Sequence, residues 1–238
     1  TTGQGIRFGQ NGGIGRLAVA KNINIGAAGF TAGMLRLQNF TQLGTTNHSF
    51  NMSANSYFYG SNNHWNGDFS VTAPRLYSAS SYYGAQLYLE KTGATNDYSA
   101  GGNTVLGSAT LIHAGSNNLL FGNTLADTFM QNVSIVNRGI GTVYIGNNNN
   151  GHYIGGHLDI IQSSTGTSNS IQLANSSNCF IRVVGNTTVQ NNGSGTNNHI
   201  YLGNNGSILF EGSLRLSNIG SSTNGAIYLN HGATSNNN

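Results

Sequence analysis

The chain has 238 residues, of which 35 are glycine, 6% are charged and one, Pro74, is proline. Disordered chains are usually rich in charge and proline, so this composition argues against disorder, and frequent Gly and Asn instead suit tight turns. The formal charge of +3 comes from nine basic residues dispersed along the sequence, whereas nucleic-acid binding requires them to cluster on one face. No apolar run approaches the roughly 18 residues of a membrane helix. Neither nucleic acid nor membrane insertion is therefore expected.

A short phrase recurs along the chain at intervals of roughly 19 to 29 residues. It consists of a small or polar residue, an apolar residue, any residue, a second apolar residue, Gly or Ala, and then Asn or Gln. Its period of two predicts a short strand with one buried face. Copies lie at 5–10, 118–123, 142–147, 170–175 and 199–204, with a shorter one at 226–230.

A second phrase follows the first and places an apolar residue four positions ahead of an alternating apolar pair. The constant order of the two phrases predicts a coil with two or three strands that is repeated along the chain. Examples are Trp65 before Phe69 and Val71, Tyr83 before Leu87 and Leu89, Phe129 before Val133 and Ile135, Ile154 before Leu158 and Ile160, and Phe210 before Leu214 and Leu216.

The repeats predict an all-β fold, a single parallel β-helix (β-solenoid) over 1–238 with about nine coils. Its hand is predicted to be right-handed, because parallel crossovers prefer that hand. Coils are expected to be shorter over 1–140 and longer over 141–238. Since no capping element covers either end, we expect a segment of a longer polypeptide. The predicted coil starts are Ile6, Leu35, Tyr57, Leu76, Tyr98, Leu119, Val143, Ile171, Ile200 and Ile227.

Several stretches resemble the repeat units of very large cell-surface proteins of Bacteroidota, the group that includes gliding bacteria. They are LRLQNFTQLG at 35–44, TAPRL at 72–76, EKTGATNDYSAGGNT at 90–104, and FGNT at 121–124 followed by DTF at 127–129. The resemblance implies export to the cell surface by the type IX route and a structural or adhesive role as a stalk or filament. The implied partners are surface polysaccharides or other cell-surface and substratum ligands, neighbouring repeats, and further copies of the chain.

Parallel β-helices also include polysaccharide lyases and hydrolases, and glycoside hydrolysis needs two carboxylates about 5 to 10 Å apart. On a solenoid, this requires acids at one register in neighbouring coils. The sequence places no two acids in this way, so we predict no catalytic residues and no enzyme. A carbohydrate-active enzyme or a carbohydrate-binding module on the same fold is the alternative. The acids are Asp68, Glu90, Asp97, Asp127, Asp159 and Glu211.

The histidines and the cysteine do not form a metal-binding pattern. His152 and His157 are the closest histidine pair, and their spacing on a strand and corner sends them to different faces. Cys179 is alone and lies beside Phe180 and Ile181, which predicts a buried thiol. The sequence therefore predicts neither a metal nor a cofactor.

The residue between the two apolar positions of the first phrase is expected to point outward. In the late coils it is Tyr144, Gln172, Tyr201 and Tyr228, which predicts an exposed column of planar side chains. Such a column is either a platform that binds sugar rings or apolar patches, or an aromatic ladder that only stabilises the sheet. The corresponding earlier positions are Arg7, Arg36, Phe58, Tyr77 and Leu120.

A second column is predicted four residues after the first apolar position of the second phrase. Stacked amides at one corner can hydrogen-bond along the axis, as they do in cross-β ladders, so its role is expected to be structural. The members are Lys91, His113, Asn137, Gln162, Asn191 and Asn218.

Overall fold

The computed structural model of the chain describes residues 5–23, 33–147 and 150–231. Within these ranges the chain forms 27 short β-strands and one 3-10 turn at Gln10–Gly12. Every pairing between these strands is parallel, and the chain winds through about eight turns of a β-solenoid. The predicted fold is confirmed, with a turn count close to the predicted nine.

Each full turn contributes one strand to each of three faces that run along the solenoid axis. The first face carries β1 (Gly5–Phe8), β3 (Gly33–Gln38), β6 (Ser56–Ser61) and β9 (Leu76–Ala79), and then β12 (Asp97–Tyr98), β15 (Leu119–Phe121), β18 (Thr142–Ile145), β21 (Ser170–Leu173), β24 (His199–Leu202) and β27 (Ala226–Leu229).

The second and third faces complete the three-sided cross-section of the solenoid. The second carries β2 (Gly15–Leu17), β4 (Phe40–Gln42), β7 (His64–Trp65), β10 (Tyr82–Tyr83), β13 (Thr104–Val105), β16 (Thr128–Phe129), β19 (Asn150–Ile154), β22 (Phe180–Val183) and β25 (Ser207–Phe210). The third carries β5 (His48–Asn51), β8 (Phe69–Ala73), β11 (Leu87–Lys91), β14 (Ala109–His113), β17 (Val133–Asn137), β20 (Leu158–Gln162), β23 (Thr187–Asn191) and β26 (Leu214–Asn218).

The late coils stack in the predicted register on the first face. Leu119 pairs with Val143, Val143 with Ile171, and Ile171 with Ile200, which in turn pairs with Ile227. The first four side chains of this column are fully buried. Each such burial stabilises the fold by about 1.5–3 kcal/mol, so the column holds successive turns together.

Two predicted coil starts are wrong by one residue. Phe58, rather than Tyr57, occupies the buried register, because Tyr57, Phe58 and Tyr59 are all aromatic and the period of two does not select among them. Asp97, rather than Tyr98, pairs with the buried aliphatic column. A carboxylate at an interior position breaks the apolar pattern by which the register was assigned.

The interior changes from aromatic to aliphatic along the axis. In the first coils Trp65 stacks on Phe40 at a ring-centroid distance of 5.1 Å and lies 4.7 Å from Phe69, which in turn lies 5.4 Å from Tyr83. Later interior positions are mostly Leu, Ile and Val. One continuous core joins the two parts, so the described turns form one rod.

The Gly or Ala and the Asn that end the first phrase form the corner after the first face. The backbone is left-handed at Gly146, with φ of 70°, and at Ala174, with φ of 51°, which is a conformation that glycine adopts without strain. The next residue, Asn175, donates its side-chain amide to Asn147 Oδ1 at 2.7 Å and accepts from Asn204 at 2.6 Å. This asparagine ladder runs along the axis.

The second predicted column stacks in register, but its hydrogen bonds differ from the prediction. Among the hydrogen bonds described for this column, the only one between two of its members joins His113 Nδ1 and Asn137 Oδ1, at 2.8 Å. Asn137 also donates to the Ser170 carbonyl, and Asn191 donates to the Asn198 carbonyl. Buried turn carbonyls need donors, so these amides satisfy the adjacent corner instead of forming an axial ladder.

Candidate ligand-binding face

The predicted outward column exists on the first face. Tyr144 pairs with Gln172, Gln172 with Tyr201, and Tyr201 with Tyr228, and all four side chains are partly exposed. The Tyr201 and Tyr228 rings stack with centroids 4.9 Å apart and planes 9° apart. The structure therefore confirms the arrangement of this column, and its binding role stays a prediction.

Two histidines border this tyrosine pair. The His231 ring lies edge-on to Tyr201 at 4.9 Å and to Tyr228 at 5.0 Å, and the His199 ring lies 5.4 Å from Tyr228. Burial lowers the pKa of His199, and nearby His231 lowers it further. Burial, followed by the neighbouring Tyr228 hydroxyl, raises the pKa of Tyr201. This end of the face is therefore an aromatic surface of two tyrosine and two imidazole rings.

The earlier part of the same column differs from the sequence prediction. Phe58 is buried, and the outward residue of its strand is Tyr59, which pairs with Arg36 on one side and Tyr77 on the other. Tyr98 likewise points outward and is 51% exposed. The one-residue register errors thus concealed two outward tyrosines, and the early column is richer in tyrosine than the sequence indicated.

Strands β1, β3, β6, β9 and β12 bring these side chains together in an open pocket with a volume of about 440 Å³, within the range typical of small-ligand sites. We call it the arginine–tyrosine pocket. Its lining is Arg7, Met34, Arg36, Tyr57, Tyr59, Arg75, Leu76, Tyr77 and Tyr98.

Cations and rings alternate within the arginine–tyrosine pocket. The Arg36 guanidinium lies 4.3 Å from the Tyr59 ring centroid, and Arg36 Nε donates to Gln38 Oε1 at 3.1 Å. The Tyr59 and Tyr77 rings are 4.3 Å apart and nearly parallel, at 3°. Since Arg36 comes from the strand before Tyr59 and Tyr77 from the strand after it, the two cover opposite faces of the Tyr59 ring.

The arginine–tyrosine pocket is positively charged. Its described lining contains three of the nine basic residues of the chain and no acid. Beneath the lining, Arg75 Nε lies 3.6 Å from Asp97 Oδ1. Burial raises the pKa of Asp97 to about 7, although Lys91 and Arg75 both favour its charged form. Arg7 and Arg36, which the sequence placed in one outward column, and Arg75, which it did not, therefore form one cationic cluster.

Three of the six acids, Glu90, Asp97 and Asp159, lie in described strands. No strand pairing among the described residues places two of them opposite each other; Asp159, for example, lies between Ser134 and Thr188. Glu90 binds Arg138 and the Tyr88 hydroxyl. Within residues 5–23, 33–147 and 150–231, no group of His, Cys, Asp and Glu side chains has the arrangement of a metal site.

Comparisons with protein-family models, with curated proteins and with solved structures found no match to this chain. No helix in the described part of the chain is both long enough and apolar enough to cross a membrane. A proposal for the function therefore starts from the geometry of the first face.

Proposed function

We propose that the chain is a structural and adhesive segment of a secreted cell-surface repeat protein: a stiff stalk or filament that binds surface polysaccharide through its first face, without catalysis. The observation that carries this proposal is the outward column of tyrosine and arginine along one side of a continuous solenoid. The resemblance to Bacteroidota surface repeats supports the same role, with export by the type IX route and attachment at the outer membrane.

The shaft role follows from how the turns are joined. Successive described turns pair through a nine-stranded sheet on the second face, an eight-stranded sheet on the third, and a four-stranded and a six-stranded sheet on the first, which divide between β9 and β12. One apolar core runs from Leu35 to Leu202. Bending such a rod would separate buried side chains along one side, at about 25 cal/mol for each Å² of apolar surface exposed. The rod can therefore hold a ligand-binding face in a fixed orientation.

The binding role follows from a difference between the faces. In one of the two outward columns of the third face most side chains are small hydroxyl ones, such as Ser70, Thr110 and Ser134. The other outward column includes the aliphatic residues Ile112, Val136 and Ile161. The first face presents large planar groups at the equivalent positions. Planar tyrosine rings give a rigid contact surface with a polar hydroxyl at the edge, and sugar rings require both properties.

The test measures retention of the purified chain on a panel of immobilised polysaccharides. We expect the double variant Tyr201→Ser/Tyr228→Ser to bind at least about fivefold more weakly than the parent chain to a polysaccharide that contacts this pair. Tyr153→Ser is the matched control, because Tyr153 is partly exposed on the second face. Retention on no polysaccharide, or equal losses in both variants, would contradict the proposal.

A sugar-release assay separates this proposal from the enzymatic alternative. Uronate and neutral polysaccharides are incubated with the parent chain and with Asp127→Asn and Asp159→Asn, and reducing ends and unsaturated products are measured. We expect no release by any of these proteins. Release by the parent chain that either substitution abolishes would establish a carbohydrate-active enzyme instead.

A further inference from the structure

We propose that the arginine–tyrosine pocket binds acidic polysaccharide, with its arginines holding the carboxylates of uronate units. The inference rests on the proposed function as a polysaccharide-binding face and names the class of polysaccharide. It also assigns recognition to Arg7, Arg36 and Arg75, at the part of the face remote in sequence from the Tyr201–Tyr228 pair.

The charge of the pocket selects an anion. Three guanidinium groups line one opening: Arg7 and Arg36 pair on the adjacent strands β1 and β3, and Arg75 precedes β9, two strands further along the axis. Arg75 is still 50% exposed beside the buried Asp97. A guanidinium offers a planar fork of donors that matches a carboxylate with two parallel hydrogen bonds. A repeating series of carboxylates along one polymer therefore complements a series of arginines along the solenoid axis.

The stacking of the Tyr59 ring disfavours a nucleobase at the centre of the pocket. Arg36 and Tyr77 already cover both faces of Tyr59, so this ring offers no free face on which a base could stack. Proteins that bind single-stranded nucleic acid depend on such stacking of bases on aromatic rings. Burial, and then Tyr59, raises the pKa of Tyr77, so its hydroxyl stays protonated and able to donate. Hydroxyl donors suit the many oxygen atoms of a sugar.

The pocket is open to solvent and continues along the column through Tyr98, which is 51% exposed. Tyr98 pairs in register with Leu120, and Leu120 with Tyr144. Leu120, predicted to point outward, is buried at 5% exposure, so the exposed column is interrupted there and a polymer that extends from the pocket toward the later tyrosines would pass over this position. This arrangement fits a chain-like ligand better than an isolated monosaccharide.

The experiment titrates the chain with an oligogalacturonate and with its methyl ester, which share one sugar backbone and differ in charge. Isothermal titration calorimetry gives the dissociation constants. We expect binding of the free acid, at least about tenfold weaker binding of the ester, and progressive weakening of acid binding with added salt.

The matched variants each remove two positive charges, which lowers the formal net charge from +3 to +1. Arg7→Gln/Arg36→Gln alters the pocket, whereas Arg16→Gln/Arg215→Gln alters two exposed arginines on the second and third faces. We expect the pocket variant to lose about tenfold in affinity and the control to stay within about twofold of the parent chain. Equal thermal unfolding midpoints for the variants establish that both are folded.

Equal affinity for the acid and its ester, or an equal loss in the two variants, would overturn the inference. So would single-stranded DNA that binds as tightly as the oligogalacturonate and is equally sensitive to the pocket variant. If the acid binds independently of the pocket but retention depends on Tyr201 and Tyr228, this inference fails and the proposed function stands. If no polysaccharide binds at all, both fail.

Discussion

Asp127 provides a quantitative test of how this solenoid tolerates buried charge. The residue is 1% exposed, and its Oδ1 accepts hydrogen bonds from both the backbone amide and the side-chain amide of Asn103, each at 2.9 Å. Its Oδ2 has no hydrogen-bond partner among the described residues. Burial raises the pKa of Asp127 from 3.8 to about 7, in spite of the two bonds from Asn103.

The sign of the effect on stability follows from proton binding. Because the pKa of Asp127 is higher in the folded chain, the folded state binds more protons than the unfolded state between about pH 4 and pH 7. Stability from this group is fully present below the unfolded pKa and is lost as the pH rises through the folded pKa. A shift of about three units corresponds to a free-energy loss of about 4 kcal/mol.

Asp127→Asn keeps an oxygen that can accept from Asn103 and removes the charge. We expect the variant and the parent chain to have similar unfolding free energies near pH 4, and the variant to be more stable by about 4 kcal/mol near pH 8. Urea unfolding followed by circular dichroism, repeated across this range, measures the difference. A difference that does not change with pH would refute the reasoning.

A neighbouring histidine also titrates in this range. Burial lowers the pKa of His152 to about 4. Its folded pKa lies below the unfolded value of 6.5, so His152 costs stability as the pH falls from 6.5 toward 4 in both proteins. The Asp127 backbone amide donates to His152 Nδ1 at 3.1 Å, and the contributions of residues in contact are not additive, so the difference near pH 8, where His152 is neutral in both states, carries the test.

Three other changes test the packing. Ile200→Asp buries a charge in the aliphatic column and should lower the unfolding free energy by at least about 4 kcal/mol. Tyr201→Ser changes an outward side chain and should lower it by less than about 1.5 kcal/mol. Similar shifts of the thermal unfolding midpoint in the two variants would contradict the register. Asn175→Ala removes two hydrogen bonds of the asparagine ladder and should lower the free energy of unfolding, measured in urea, by about 1–3 kcal/mol. An unchanged free energy of unfolding would show that the ladder does not stabilise the fold. Cys179 is buried with its pKa raised to about 12, so a thiol reagent should label it only on unfolding, and rapid labelling of the native chain would contradict its placement.

The sequence predicted the solenoid because its physical cause is local. A buried face every second residue, followed by a Gly or Ala and an Asn, is repeated in each coil, and the structure places Val143, Ile171 and Ile200 as vertical neighbours. The pattern failed where neighbouring residues were chemically alike or where the interior residue was polar. Tyr57 and Asp97 illustrate these two cases.

The arginine–tyrosine pocket could be predicted only in part. Arg7, Arg36 and Tyr77 occupy the outward column that the sequence predicted. Tyr59 was hidden by the register error, and Arg75 lies outside the column, one residue before β9. The Tyr201–Tyr228 pair could be predicted from the sequence, since both residues occupy the same position of a well-formed phrase. Sequence periodicity therefore located the whole column in the regular coils and only some of its members in the irregular ones.

The most direct test of the central claim is an NMR titration of the tyrosine-ring-labelled chain with oligogalacturonate. We expect the Tyr59, Tyr77 and Tyr98 ring signals to shift, and the signals of Tyr88 on the third face and Tyr153 on the second face to stay unchanged. Shifts confined to Tyr88 or Tyr153, or no shift at a ligand concentration that saturates calorimetric binding, would show that the first face is not where acidic polysaccharide binds.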